Sequence, residues 1–507
     1  MTQQLPQLGI RFGFIPSFVL CVAVLVSLAV PAFLQIGGWA TDTRFLDNRP
    51  AIAFPGLPKS LEDISQFRDD LAKFVDDRFG LRAELVKLNI RLNHLIGVSK
   101  IPNMVVGKGG WTFLKEGSDG FDQFRGLNRF TDANLDRWID IMEKLQRWTA
   151  LHGSKFMIVI APNQQTIYPE YMPGYITRVV PETRLDQLVR RLRERNSPLV
   201  FVDPRADLWA ARRRVQLYSR YENHWNQVGG FVAYLATMRA AERLLPGIPN
   251  LKDEDITVGT SWRSWQNPPF GERVFTVTLK FPSRVTGTEV IAAAGPEKIS
   301  KVTTGLDQAP SVLLYGDSFG VLGLLAYLKE SFRWSMYVPT AHVSFPFDLI
   351  ERHKPDLVIL EMVERFLSGY LPDDPRADRD LLLREAPPFE MAVKSKELAG
   401  GGYIEGVINE GNDTVLFPGW AMDPSDRTPA RGIFAYQSGR VVGVAWPTMR
   451  RPDLAAGAPS DLVAFRMPVP LAVAREPLSF FSVNRGGTIR PLVVIPEAAA
   501  QIDALKR

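Results

Sequence analysis

The chain has a single cysteine, Cys21, among 507 residues. That excludes an intramolecular disulfide and a thiolate metal cluster, and its place in an apolar run argues against a cysteine nucleophile. An export compartment stays open, because an exported protein need not carry a disulfide. Histidine is nearly as scarce, with five in the chain, so any reaction that needs an imidazole has few candidates. Charge of either sign is absent from Phe12 to Ala40. Tandem repeats and low-complexity tracts are absent as well. The net charge of +5 is mild, and the arginine-rich stretches VRRLRERN (189–196) and ARRRV (211–215) come without an aromatic-basic platform. They read as solvated helix faces, and nucleic acid is set aside as a partner. No metal site and no cofactor are implied.

What is present is a folded protein of more than one domain. A hydrophobic content of 46% and a charged content of 23% are those of a globular chain, and 507 residues exceed one ordinary core. FVLCVAVLVSLAV (18–30) is almost continuously apolar, and about twenty such residues cross a bilayer as a helix. The expectation is a cytoplasmic tail over 1–11 and an uncleaved transmembrane anchor over 12–36, with the body facing the periplasm of an inner membrane. The competing reading is a signal peptide cleaved near Val30 and Ala32. Residues 37–99 read as a Pro-rich linker, TDTRFLDNRPAIAFPGLP, followed by two amphipathic helices.

From about residue 100 to 375, helical patterns alternate with continuous apolar runs: KFMIVIAP, PLVFVDP, SVLLYGDS and PDLVILEMV. Apolar strands separated by helices predict an α/β fold with a parallel sheet covered on both faces. Residues 250–310, with VFTVTLKF, read as a β-like insertion in that fold, and LPDDPRADRDLLLREAPPFE (371–390) as a charged connector. Residues 395–507 break into short strands punctuated by Gly, Pro and Asn, which predicts a β-sandwich.

One strand end carries chemistry. In SVLLYGDSFG (311–320) a buried strand runs into Gly-Asp-Ser. Gly316 permits a sharp turn, and the helix that follows Phe319 would aim its N–H groups at Ser318, as an exposed nucleophile with an oxyanion hole requires. The plain alternative is that Asp317 or Ser318 caps the helix. A serine needs a base. His94, His152 and His353 fall in helices or at their ends and read as surface or cap residues, and His342 in TAHVSFP stays open. His224 in RYENHWNQVGG (220–230) stands apart. Glu222 lies two residues before it and points the same way on extended backbone, where it can orient the imidazole; the plain alternative is a surface ion pair. Asn163, ending the strand of APNQQTIYP, is a candidate second oxyanion donor, or else simply turns the chain, and Gly316 and Asp317 join it as oxyanion or substrate-binding candidates. Trp420 and Trp446 in the C-terminal strands are either core or sugar-stacking platforms.

Taken together, YGDSFG and an upstream acid-x-His-Trp pair resemble the SGNH-like periplasmic alginate O-acetyltransferase family. The likeness extends to DNRPAIAFPGLP, to FGLRAELVKLNIRLNHLIGVSKIPNMVVGKGGWTFL, to APNQQTIYPEYMP and to KPDLVILEMVERFL, or roughly residues 40 to 370. The resemblance implies an SGNH-hydrolase-like fold with a Ser-His-acid site, here Ser318, His224 and Glu222. Such a site moves acetyl groups onto an exported polysaccharide, beside an integral-membrane acyltransferase or acyl-donor partner. One position departs from the family: Glu222 stands where aspartate is usual, one methylene longer. GWAMDP and RRPDL are similar to a sandwich domain attached to envelope-glycan enzymes. The leading expectation is an O-acetyltransferase. An acyl-glycan esterase would form the same acyl-serine and give it to water, and a non-catalytic glycan-binding assembly protein would not form it.

Overall fold

The computed structural model describes residues 17–36, 52–60, 62–77, 81–95, 97–99, 103–115, 121–264, 273–295, 297–341, 344–367, 374–395, 400–409, 413–454, 460 and 462–505. The apolar N-terminal stretch is a helix, α1 (Ser17–Ile36), with Pro31 inside it. Several of its side chains lie outside the described residues, as do residues 1–16. Over the described residues no helix is long and apolar enough to cross a membrane. Two helices follow, α2 (Asp63–Asp77), which is amphipathic, and α3 (Arg82–Leu95), which is only weakly so, and then a short hairpin of β1 (Met104–Val106) and β2 (Thr112–Leu114).

The central sheet has seven strands. In chain order they are β3 (Lys155–Ala161), β4 (Phe201–Val202), β7 (Val285–Ala294), β8 (Glu297–Thr304), β9 (Val312–Gly316), β10 (Trp334–Pro339) and β11 (Leu357–Val363). Their spatial order is β4-β3-β11-β9-β10-β8-β7. The first five run parallel, and β8 and β7 continue the sheet antiparallel from β10. Part of the 250–310 insertion thus extends the main sheet. Only its first hairpin, β5 (Thr257–Ser264) with β6 (Arg273–Lys280), forms a sheet of its own.

The apolar strands are buried on both faces because side chains alternate. Val312, Leu314, Leu357, Ile359 and Val363 enter one core, and Leu313, Tyr315, Val358, Leu360 and Met362 the other. The first core is closed by α6 (Gln227–Leu244) and by the helical segment after β9. The second is closed by α4 (Asp132–Leu151), α5 (Arg184–Glu194) and α7 (Phe347–His353). Caps set where these helices start: Thr131 accepts from Asn134, Thr183 forms a capping box with Asp186, and Asn226 accepts from Gly229.

The segment read as a charged connector is helical. Asp374 caps α8 (Pro375–Glu385), with Pro375 in its first turn, and Ala377 packs into the second core of the sheet. Leu382 instead joins a small core with Phe434, Tyr436 and Phe481 of the C-terminal region. That amphipathic pattern is short and charged, and only its two apolar partners make it a helix.

The C-terminal region is a sandwich. One sheet holds β12 (Gly402–Ile404), β13 (Ile408–Asn409), β14 (Thr414–Ala421), β17 (Met449–Arg450), β18 (Leu462–Pro470) and β21 (Val493–Val494). The other holds β15 (Gly432–Gln437), β16 (Arg440–Ala445), β19 (Ser479–Val483) and β20 (Ile489–Pro491). Val415, Phe417, Phe465 and Met467 from the first meet Ile433, Ala435 and Phe480 from the second in one core.

Candidate active site

The C-terminal ends of β3, β11 and β9 lie side by side, the place where open α/β sheets carry their sites. β9 is wholly buried up to Gly316, and Asp317 is also buried, yet Ser318 is exposed. A helical turn begins at Ser318 itself, and after Phe319 the five residues Gly320–Leu324 are wound as a π-helix.

The amides of this elbow are almost all held. Asp317 N–H donates to Glu361 Oε2 at 3.1 Å, and the Gly320 amide donates to the same carboxyl group. Phe319 N–H donates to Asp317 Oδ1 at 2.8 Å, while Asp317 Oδ2 accepts from Val363 N–H of β11 at 2.7 Å. Among the described residues the Ser318 N–H has no partner. Asp317 therefore turns inward as a bracket, with both carboxylate oxygens taken by backbone and its own N–H given to Glu361, so it is not the oxyanion or substrate-binding residue expected from the sequence. Burial raises its pKa, and the amides of Phe319 and Val363 and the positive charge of Arg365 oppose that. Gly316 is needed for room: a Cβ there would stand 2.8 Å from Glu361 Oε2.

His224 reaches Ser318 from another element. An antiparallel bridge between Tyr218 and Trp225 closes the bent loop 219–224, which carries Glu222 and His224. Trp225 is buried, and its Nε1–H donates to the Phe319 carbonyl at 3.1 Å. Asn226 then starts α6, which crosses the π-helix with backbones touching. A Cβ on Gly230 would lie 2.8 Å from the Cα of Gly323. Tyr327 hydroxyl, donating to the Gln227 carbonyl at 2.7 Å, ties the two elements again.

Within that frame His224 Nε2 lies 2.7 Å from Ser318 Oγ, and His224 Nδ1 lies 2.9 Å from Glu222 Oε1. A carboxylate at Nδ1 assigns the proton to that nitrogen, which leaves Nε2 as acceptor for the serine hydroxyl. Glu222 is 39% exposed and His224 18%. The additional methylene of Glu222 is absorbed by the loop without loss of either contact. The His224 ring also packs on Phe319, 4.8 Å between centroids.

Asn163 is buried at the end of β3, two strands from Ser318. Its N–H donates to Glu364 Oε2 at 3.0 Å, and no side-chain capping bond is made. Trp420 lies on the outward face of β14 beside Tyr403, with ring centroids 5.2 Å apart. Trp446 is half-buried and lines a cleft of about 760 Å³ between α8 and the sandwich, with Arg376, Arg379, Thr448 and Arg466. Of the other histidines, His152 Nδ1 contacts the Trp148 carbonyl at 2.9 Å, and His353 ends α7, where burial lowers its pKa. His342 and the side chain of His94 lie outside the described residues.

Three site residues were not singled out from the sequence. Glu361 and Glu364 are both essentially fully buried, and burial raises the pKa of each. Glu364 also accepts from Thr166 Oγ1 at 2.6 Å, so it fixes the turn after β3. Arg365 places its guanidinium between the rings of Phe319 and Phe366, at 5.5 and 5.1 Å. The signal was there: two carboxylates close an otherwise apolar strand, LVILEMVER, and a buried carboxylate needs a reason.

A serine, an imidazole and a carboxylate in one relay, at the strand ends of a doubly covered sheet, define an SGNH-hydrolase-like domain. Residues 104–338 match the family described as SGNH hydrolase-like domain, acetyltransferase AlgX. That match spans fewer residues than the roughly 40–370 over which the sequence motifs resemble the family. The chain is 28% identical over 151 residues to the probable alginate O-acetylase AlgJ of Pseudomonas putida, a match over 29% of this chain and 37% of that protein. It thus spans well under half the length of that relative. Among solved structures, the O-acetyltransferase domain of Pseudomonas putida AlgJ is 19% identical, with a TM-score of 0.37 over 54% of this chain and 97% of that one. Bacillus cereus PatB1 with a sulfonyl adduct is 12% identical, with a TM-score of 0.42 over 53% and 96%. Pseudomonas aeruginosa AlgX is 10% identical, with a TM-score of 0.35 over 72% and 82%.

Proposed function

We propose that the protein is an O-acetyltransferase that moves acetyl groups onto hydroxyls of an exported polysaccharide through an acyl-Ser318 intermediate. The observation that carries this is the unbroken contact chain from Glu222 through His224 to Ser318. Ser318 Oγ attacks the acyl carbonyl of the donor while His224 Nε2 takes its proton. The carbonyl oxygen, now an oxyanion, meets the one unoccupied elbow amide, that of Ser318, with the Asn163 side-chain amide as the second donor. Collapse expels the donor's leaving group, which takes the proton from His224 and leaves acetyl-Ser318. A sugar hydroxyl then enters, gives its proton to His224 and attacks the ester. Ser318 leaves and recovers the proton. Glu222 stabilises the imidazolium formed in each half-reaction.

The same reading places the domain outside a membrane, held by the apolar N-terminal stretch. Its support is the sequence: about twenty apolar residues cross a bilayer as a helix, and FVLCVAVLVSLAV (18–30) is almost continuously apolar. The flanking stretch from Phe12 to Ala40 carries no charge. An integral-membrane acyl donor would then sit within reach of Ser318. The sandwich supplies a second, weaker grip on the polymer at the cleft of Trp446 and Arg466.

The test is acylation by a reactive acetyl ester, with intact-mass and peptide mapping, followed by addition of acceptor oligosaccharides or buffer alone. Acetyl found on Ser318 and passed to sugar faster than to water supports the transferase. Discharge to water at the same rate with or without sugar identifies an esterase, and no adduct on Ser318 ends the catalytic reading.

A further inference from the structure

Glu361 is an odd residue for its place. It sits in the middle of the sheet with no exposure, in a strand whose other described side chains are apolar. One of its oxygens, Oε1, is buried without a hydrogen-bond partner. A buried carboxyl group with an unmet oxygen costs stability, and an apolar side chain of similar size would not. The other oxygen, Oε2, takes the amides of Asp317 and Gly320, one on each side of Ser318. The chain is shaped around that oxygen. A Cβ at Gly316 would come within 2.8 Å of it and a Cβ at Gly320 within 2.7 Å, so glycine at both positions lets the elbow close onto Glu361.

We propose that Glu361 is a positioning residue for the oxyanion hole. By holding the amides on either side of Ser318 from beneath, it fixes the peptide planes of the elbow and leaves the Ser318 N–H as the one amide aimed outward. A second bracket acts on the carbonyls. Tyr337 hydroxyl lies 3.3 Å from the carbonyl oxygens of both Gly316 and Asp317. Full burial pushes the Glu361 pKa well above the usual carboxylate range, which favours the neutral acid. A neutral group beneath the elbow spares the developing oxyanion a negative charge at its back. This role rests on the acyl-Ser318 reading.

The test measures single-turnover acylation of Ser318 by an acetyl ester in the full chain. Glu361→Gln keeps an oxygen at the same reach, and its acylation rate should stay within about threefold of the parent. Glu361→Asp keeps the carboxyl but retracts it, and Glu361→Ala removes it. The expected losses are about tenfold and about 100-fold, the latter on the scale of a lost oxyanion donor. Both should fall on the maximal rate, with the ester's half-saturating concentration changed less than about threefold. Leu360→Ala, which opens a cavity on the opposite face of the same strand, serves as the stability control and should acylate nearly normally when folded. Aspartate acylating at the parent rate overturns the proposal, as does glutamine no better than alanine, or Leu360→Ala losing as much as Glu361→Ala. Should Glu361→Ala not fold, the aspartate and glutamine variants decide alone. Failure of the parent protein to form acyl-Ser318 refutes the catalytic reading instead, and is seen before any variant is made.

Discussion

Around Ser318 and in the cleft beneath the sandwich the chain treats polar groups in opposite ways. At the strand ends Asp317, Glu361 and Glu364 are buried, and each takes at least one backbone amide. In the cleft, Arg466 is exposed and has no ion-pair partner among the described residues, and the half-buried Trp446 shows part of its ring side to the same space. Arg376 there is spoken for by Asp348 and Glu351 at 2.7 and 2.6 Å. Chemistry at a carbonyl needs donors fixed before charge develops, and folding must bear the desolvation of the groups that fix them. A grip on a moving polymer needs the reverse: cations left solvated until the ligand arrives, with each contact worth little alone.

The sharpest way to break the comparison is at the serine. Ser318→Ala should abolish acyl-enzyme formation and lower polymer acetylation by at least about 1,000-fold, with melting temperature nearly unchanged, because the covalent path is gone. Acetylation near the parent rate in a polymer assay would remove Ser318 from the mechanism. Next come the groups behind it. His224→Ala should be almost as damaging as the serine change, while Glu222→Gln, which keeps shape and loses charge, should cost on the order of 10- to 100-fold. Glu222→Asp should recover most of that, since the loop already accommodates the longer acid. A parent-like rate for both Glu222→Gln and Glu222→Ala would show that His224 works without it.

A smaller effect belongs to the cleft. Arg466→Ala, an exposed change that should move stability by no more than about 0.5 kcal/mol, is expected to cut acetylation of long anionic chains several-fold and to leave short acceptors untouched. The loss should fade as salt is raised to screen the parent's advantage. Equal losses on short and long acceptors would place Arg466 in the reaction rather than in polymer capture.

The smallest effect sharpens the energetic side of the comparison. The folded pKa of Glu361 lies above its unfolded value, so between the two the folded state binds more protons than the unfolded state. Its contribution to stability therefore falls as pH rises from the ordinary glutamate range through the folded pKa. Glu361→Gln should flatten that decline, melting higher than the parent near neutral pH and converging with it in acid. Parallel melting curves across pH would show that Glu361 does not titrate between these limits.

Much of the fold was legible from local pattern. Continuous apolar runs such as KFMIVIA and LVILEMV mark strands buried on both sides, and the alternation of Val415, Phe417 and Ala421 with outward Leu416, Pro418 and Trp420 marks a half-buried one. The site was legible in part. Gly-Asp-Ser at a strand end and Glu-x-His are short-range signals, since each depends on residues within three positions, although the second lies in a bent loop rather than on the extended backbone expected. The helix Pro375–Glu385 was missed because eleven residues rich in charge form a helix only where two separate cores take Ala377 and Leu382. Trp420 and Trp446 look alike in sequence, yet one lies beside Tyr403 on an open face and the other lines the cleft.

The sequence by itself determined which residues could act: the scarcity of histidine, the strand-end serine and the acid two residues before His224 follow from composition and periodicity. Tertiary structure alone decided which amides at the elbow stay free. The Oδ2 of Asp317 and the Oε2 of Glu361 reach backbone amides across neighbouring strands, 46 and 44 residues away in the chain. A hydrogen bond is fixed by distance and angle between atoms, and no spacing along a strand encodes either across a sheet.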